Sequence, residues 1–180
     1  TIAFVGIGIN SENTFATRMR KDYNADVFYL DYLNKDSDAI SKKMDSITKG
    51  YKKVVIGIHN LTRTPGTNFG LSSQAVNFVS QLQQKTNSIG FLFGNAYAVK
   101  NFCSANNLVL CYEDDPVIQN TAIEMLEGYL PYKGVLPVTV CDQYKYGFGL
   151  TASNGNLPLI NPNQAGFSSE MLVRIDSIVT

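Results

Sequence analysis

The chain opens on an unbroken apolar run, Ile2–Ile9 (IAFVGIGI), rich in β-branched residues and with no polar position to give it a wet face. That pattern predicts a strand buried on both sides. Polar cap candidates follow in SENT, and then Phe15 and Met19 stand four apart, as on one face of a helix. The same alternation recurs. ADVFYLDY is a second strand, and Ile40, Met44 and Ile47 then mark a helix that opens on Asp36-Ser37-Asp38 and closes on Gly50. KKVVIGIHN is a third strand, followed by a loop turning at Pro65-Gly66. Ala75, Phe78, Val79 and Leu82 share one helical face, IGFLF is the fourth strand, and a short helix starts near Ala96. NNLVLCYE is the fifth strand. The helix after it has Asp115 as cap and Pro116 in its first turn, with Val117, Met125 and Tyr129 on the expected buried face. VLPVTV (135–140) predicts a sixth strand, and its proline suits a sheet edge.

Strands alternate with helices and the early strands are apolar throughout, so both sheet faces need a helical cover. The expected fold is α/β: a three-layer α/β/α sandwich on a mainly parallel sheet of about six strands, doubly wound. Residues 1–150 form this domain. Residues 151–166, rich in Asn, Pro and Gly, read as a linker. Residues 167–180 begin a new helical pattern (Met171, Leu172, Ile175, Ile178). A strand already under way at the first residues and a helix cut off at Thr180 suggest a piece of a longer protein. The tail is then expected to be weakly anchored, so that deleting Phe167–Thr180 changes the melting temperature little.

The chain has 180 residues, 44% hydrophobic and 17% charged, which suits one globular domain able to bury its own core. No apolar run approaches the ~20 residues of a membrane helix. Lys plus Arg equals Asp plus Glu at 15 each, and the basic residues are scattered apart from Arg18, Arg20 and Lys21 near a helix end. That argues against nucleic-acid binding, which needs a positive field to displace counterions, and favours a solvated helix face. Cys103, Cys111 and Cys141 are an odd set without a CxxC, so small buried hydrophobes are expected rather than a disulfide framework.

Gly6-Ile7-Gly8-Ile9-Asn10-Ser11 matches two of the three glycines of a dinucleotide fingerprint, a weak signal. Neither a P-loop nor a GxSxG elbow occurs. His59 is the single histidine, at the carboxyl end of the third strand, so no multi-histidine metal site is expected. A Ser-His-Asp or Cys-His site would have to use His59, and the best-placed nucleophile, Cys103, sits in a short helix without an activating pattern. Glu113, Asp114 and Asp115 offer carboxylates of the kind glycoside hydrolysis requires, but Asp115 already has a capping duty. An enzyme acting through His59 or Glu113 therefore remains an alternative, as does a free-standing carbohydrate- or peptide-binding module.

FGNAYAVKNF, LVLCYEDDPVIQNTAIEMLEGYLPYKGVLPVTV and YKYGFGL occur in that order. Together they resemble the C-terminal α/β sandwich domain of glycoside hydrolase family 3, nearest to its β-N-acetylglucosaminidase (β-hexosaminidase-like) type, over roughly residues 2–150. Ala96 stands where the family has proline, so the turn after Asn95 is expected to be held more loosely. The resemblance implies a preceding catalytic barrel that carries the catalytic residues and a periplasmic or secreted protein. It implies an accessory role here, with no catalytic residue, metal or cofactor in this chain. The tail GFSSEMLVRIDSIVT resembles the opening helix of a serine β-lactamase-like hydrolase domain, a module that follows in some bacterial chains. The Gly94-Asn95 turn and the loop 60–70 would then share the carboxyl edge of the sheet. Candidate binding residues for the barrel, or for carbohydrate at the interface, are His59, Asn60, Arg63 and Asn95.

Overall fold

The computed structural model describes residues 1–152 and positions 161, 163, 166 and 168. The tail helix expected over 168–179, and the deletion argument built on it, lie outside these described residues.

Five parallel strands, β1 (Ile2–Ile7), β2 (Asp26–Leu30), β3 (Lys53–Ile58), β4 (Asn87–Leu92) and β5 (Leu108–Leu110), form one sheet in the order β2-β1-β3-β4-β5. Their carboxyl ends are flush: Leu30 pairs with Ile7, Ile7 with Ile58, Ile58 with Leu92 and Leu92 with Leu110. Side chains alternate between the two faces. Ala3, Val5, Ile7, Val54, Ile56 and Ile58 meet Met44 and Ile47 of α2 (Ser37–Gly50), Ala75, Phe78, Val79 and Leu82 of α3 (Ser73–Lys85), and a 3-10 helix over Ala96–Phe102. Phe4, Val55, Phe91 and Phe93 meet Phe15, Ala16 and Met19 of α1 (Thr14–Tyr23) and Ala122 and Ile123 of α4 (Pro116–Leu126). The α/β/α sandwich is therefore as expected, with five strands instead of six. The expected caps form where the sequence places them. Asp36 accepts from the N–H groups of Asp38 and Ala39, and Asp115 from those of Val117 and Ile118.

Three local expectations are corrected. Val135–Val140 is not a sixth strand. Pro137 has no N–H, and the donors of Leu136 and Val140 go to Phe148 O (2.8 Å) and Tyr144 O (2.9 Å), so the segment pairs with its own return arm and not with the sheet. Cys103 and Cys141 are not separate buried thiols. They form a disulfide across 38 residues, worth about 4 kcal/mol by loop closure, which also removes Cys103 as a nucleophile. The third correction concerns α4, which buries Gln119, Ala122 and Ile123, while Val117 is 72% exposed and Tyr129 61%. A polar residue, Gln119, lies in the buried stripe because it has hydrogen-bond partners there, Asp114 and the Phe15 N–H.

Candidate functional site

Because the strands end in line, the residues just beyond them make a common floor, at the point where strand order reverses between β1 and β3. Open α/β sheets bind ligands at this crevice. His59 follows β3 and is fully buried. Gly57, two residues earlier on the same face, leaves the space its ring occupies: a Cβ there would lie 2.6 Å from His59 Nε2. The imidazole stacks on Phe93 at 4.5 Å between ring centroids, 9° from parallel.

Each polar atom of this ring has a partner. Nδ1 lies 2.9 Å from Asp114 Oδ1. Burial pushes the Asp114 carboxyl up, but the His59 hydrogen bond and charge, the Asn60 N–H and the Gln119 amide outweigh it and hold it below its ordinary value. An ionised carboxylate only accepts, so Nδ1 carries the hydrogen that faces Asp114, and the Asn13 amide nitrogen lies 3.3 Å from both ring nitrogens. Asn13 is itself fixed by capping α1, its Oδ1 taking the Ala16 N–H at 2.9 Å. Asp114 also accepts from Asn60 N (2.8 Å) and Gln119 Nε2 (2.8 Å), and Gln119 Oε1 takes the Phe15 N–H at 3.0 Å. That is why Gln119 is buried. The Tyr32 hydroxyl donates to His59 O at 2.7 Å, and Asn60 Nδ2 to Gly8 O at 2.9 Å. One carboxylate and one imidazole thus tie the ends of β1, β3 and β5 to the first turns of α1 and α4.

Above this floor opens a cleft of about 520 Å3, lined by Asn60, Arg63, Asn95, Tyr112 and Glu113, with Phe93 and Asp114 at its base. Its walls are tied together. Asn68 and Asn101 exchange amide hydrogen bonds at 3.1 Å, and Leu61 packs against Gly94, where a Cβ would come within 3.1 Å. The turn after Gly94 is held without proline, since Asn95 Oδ1 takes the Tyr97 N–H at 2.9 Å and Asn95 O the Ala98 N–H at 3.0 Å. Asn60 (φ 55°) and Tyr112 (φ 62°) line the cleft in the left-handed region, costly for a tyrosine. The side chains of Arg63 and Glu113 make no ion pair or hydrogen bond among the described residues, whereas Asp114 accepts on both oxygens and Asp115 caps α4 through Oδ1.

Three of the four candidate residues, Asn60, Arg63 and Asn95, therefore line one cleft, and His59 lies beneath it. Asn13, Tyr32 and Gln119 were not singled out by sequence reasoning. A polar residue on the apolar face of α4 was the available signal for Gln119. The glycines of the partial dinucleotide fingerprint have packing duties: a Cβ on Gly8 would meet the Tyr32 ring at 2.4 Å and His59 O at 2.6 Å. Among the described residues no three His, Cys, Asp or Glu side chains converge on a cation site.

No protein-family model matches the chain, and no curated protein matches it in sequence. Solved structures do. A fungal multi-domain GH3 β-N-acetylglucosaminidase, described with a GCN5-related glucosamine N-acetyltransferase region, aligns with a TM-score of 0.50 at 19% identity, over 72% of this chain and 14% of that one. The β-glucoside phosphorylase BglX aligns at 0.45 and 10% identity over 69% of this chain and 23% of its own. Its complex with 2FGlc aligns at 0.49 and 13%, over 77% and 26%. The chain thus spans a minor part of each. At such identity the first likeness speaks for the α/β fold, and the other two, below half on that scale, add nothing further.

Proposed function

We propose that this chain is an accessory, non-catalytic domain of a modular glycoside hydrolase family 3 enzyme of the β-N-acetylglucosaminidase type, acting on cell-wall or glycan sugars. In this reading its carboxyl edge packs on a preceding catalytic barrel and helps to shape that barrel's active site, with carbohydrate at the interface. A serine hydrolase-like domain follows.

The observation that carries the reading is the fate of the carboxylates. Two-carboxylate glycoside hydrolysis needs a pair free to face one bond. Asp114 is spent on His59, Asn60 and Gln119, and Asp115 caps α4, so of the three carboxylates that line the cleft Glu113 is the one without a hydrogen-bond partner among the described residues. The ordered FGNAY, KGVLPV and YKYG segments support the family, and the disulfide suits a periplasmic or secreted location.

With a chromogenic N-acetyl-β-glucosaminide, the isolated chain is expected to show no hydrolysis above background. Turnover that disappears in Glu113→Gln or His59→Ala would overturn the proposal. The uncommitted charges of Arg63 and Glu113 favour a second reading, a binding module that takes a small polar ligand in the cleft. Calorimetry with muropeptide fragments separates the two, since saturable heat from the isolated chain belongs only to the second.

A further inference from the structure

After α4 the chain turns at Gly128 (φ 80°) and runs out and back as a narrow ribbon over residues 131–152. Tyr132 and Ala152 exchange hydrogen bonds at 3.1 Å at its root, Leu136 pairs with Phe148 and Gly147 along its length, and Tyr144 pairs with Val140 at its tip. The root follows within a few residues of the end of α4, which packs with α1 on the Phe15 face of the sheet. The tip lies on the other side, with Leu136, Val140, Cys141 and Tyr144 packed in the same cluster as Leu108 and Leu110 of β5. The ribbon therefore crosses the open edge of the sheet as a strap. Among the described residues no backbone hydrogen bond joins it to β5. Its polar and covalent ties to the body sit at the tip: the disulfide to Cys103 and the buried Tyr144 hydroxyl donating to Ala105 O at 2.7 Å. One weaker contact, Tyr112 hydroxyl to Val135 O at 3.5 Å, links the strap to the rim of the cleft.

We propose that Cys103–Cys141 is a redox latch: its reduction by a dithiol frees the strap 131–152 from the β5 edge while the rest of the sheet stays folded. A strap joined to itself by hydrogen bonds, but to the domain mainly at one end, detaches as a unit once that end is released. Both cysteines are partly exposed, so a reductant has access. The thiolate of the dithiol attacks one sulfur and the other leaves, taking a proton. The second thiol then resolves the mixed disulfide, so the reagent becomes its cyclic disulfide and Cys103 and Cys141 become thiols. Detachment uncovers Leu108, Leu110 and the unpaired edge of β5, and removes the neighbour of Tyr112 at the cleft rim.

Hydrogen exchange read by mass spectrometry, on the intact protein before and after dithiothreitol, tests this. Exchange is expected to rise by about tenfold or more over 131–152 and β5 and to remain unchanged in β1, β3 and β4, with reversal on reoxidation. The double variant Cys103→Ser/Cys141→Ser should show the reduced pattern without reagent. Should that variant fail to fold, the reduced wild-type protein still decides. Unchanged exchange over the strap after both cysteines become alkylatable would overturn the latch. So would protection lost equally in the central strands, which would make the bond a staple of the core, or a disulfide that the dithiol does not reduce in the folded protein.

Discussion

Gly57 shows how one missing side chain organises the site. A methyl group there would press on His59 Nε2 at 2.6 Å and on the Phe4 ring at 3.0 Å, and both neighbours are fully buried with nowhere to go. Gly57→Ala is expected to cost about 1–3 kcal/mol, as overpacking of a filled core does, and to break the Asn13 contact. Urea unfolding measures the loss, and an unchanged midpoint would mean that the imidazole yields freely. Asp114 sets the pH dependence. Its carboxyl is held below its ordinary value of 3.8, so the stability it contributes is complete above 3.8 and is lost as the pH falls through the lower folded value. Asp114→Asn has one acceptor oxygen for the donors of His59, Asn60 and Gln119, so the variant is weaker at neutral pH. The stability gap between the two proteins should narrow on acidification past 3.8. A gap independent of pH would show that charge plays no part at this position.

Elements differ in how closely their backbones approach one another, and the strap is the tightest case. A Cβ on Gly149 would stand 2.3 Å from Gly134 O and 3.1 Å from Val135 Cα, contacts with backbone that cannot swing aside. Gly149→Ala should force the two arms apart and lower the melting temperature. Gly66→Ala, with nothing within 4 Å of its Cβ, is the matched control and should leave stability level or slightly raised. Equal effects of the two substitutions would refute the close crossing. α4 shows the limit of local periodicity. Val117 and Tyr129 are apolar and at plausible spacing, yet the stripe that meets α1 is Gln119, Ala122 and Ile123, because the helix is rotated to bring Gln119 onto Asp114 and the Phe15 N–H.

Across the whole molecule, protection should follow position in the sheet. β1, β3 and β4 each have neighbours on both sides and side chains buried on both faces, whereas β5 is a three-residue edge strand of half-buried residues. Under native conditions hydrogen exchange should be slowest at Phe4–Ile7, Val55–Ile58 and Phe91–Leu92 and faster at Leu108–Leu110. Uniform protection across all strands would mean that the domain opens only as one unit.

The sequence by itself determined the strand and helix succession, the caps at Asp36 and Asp115, and the three-layer α/β class. These follow from short-range rules: side-chain periodicity, side-chain oxygens beside free N–H groups, and apolar strands that need cover on both faces. It also put Asn60, Arg63 and Asn95 at strand ends, and so on one edge of a parallel sheet. Tertiary structure alone decided the rest. Asn13 reaches His59 across 46 residues, and Asp114 reaches it across 55. The disulfide closes 38, and Val135–Val140 pairs with its own return arm instead of the sheet. Each of these joins depends on which strand ends become neighbours and on how loops close over them. Residues of the same types at the same spacings would be equally at home apart, so no local pattern records the join.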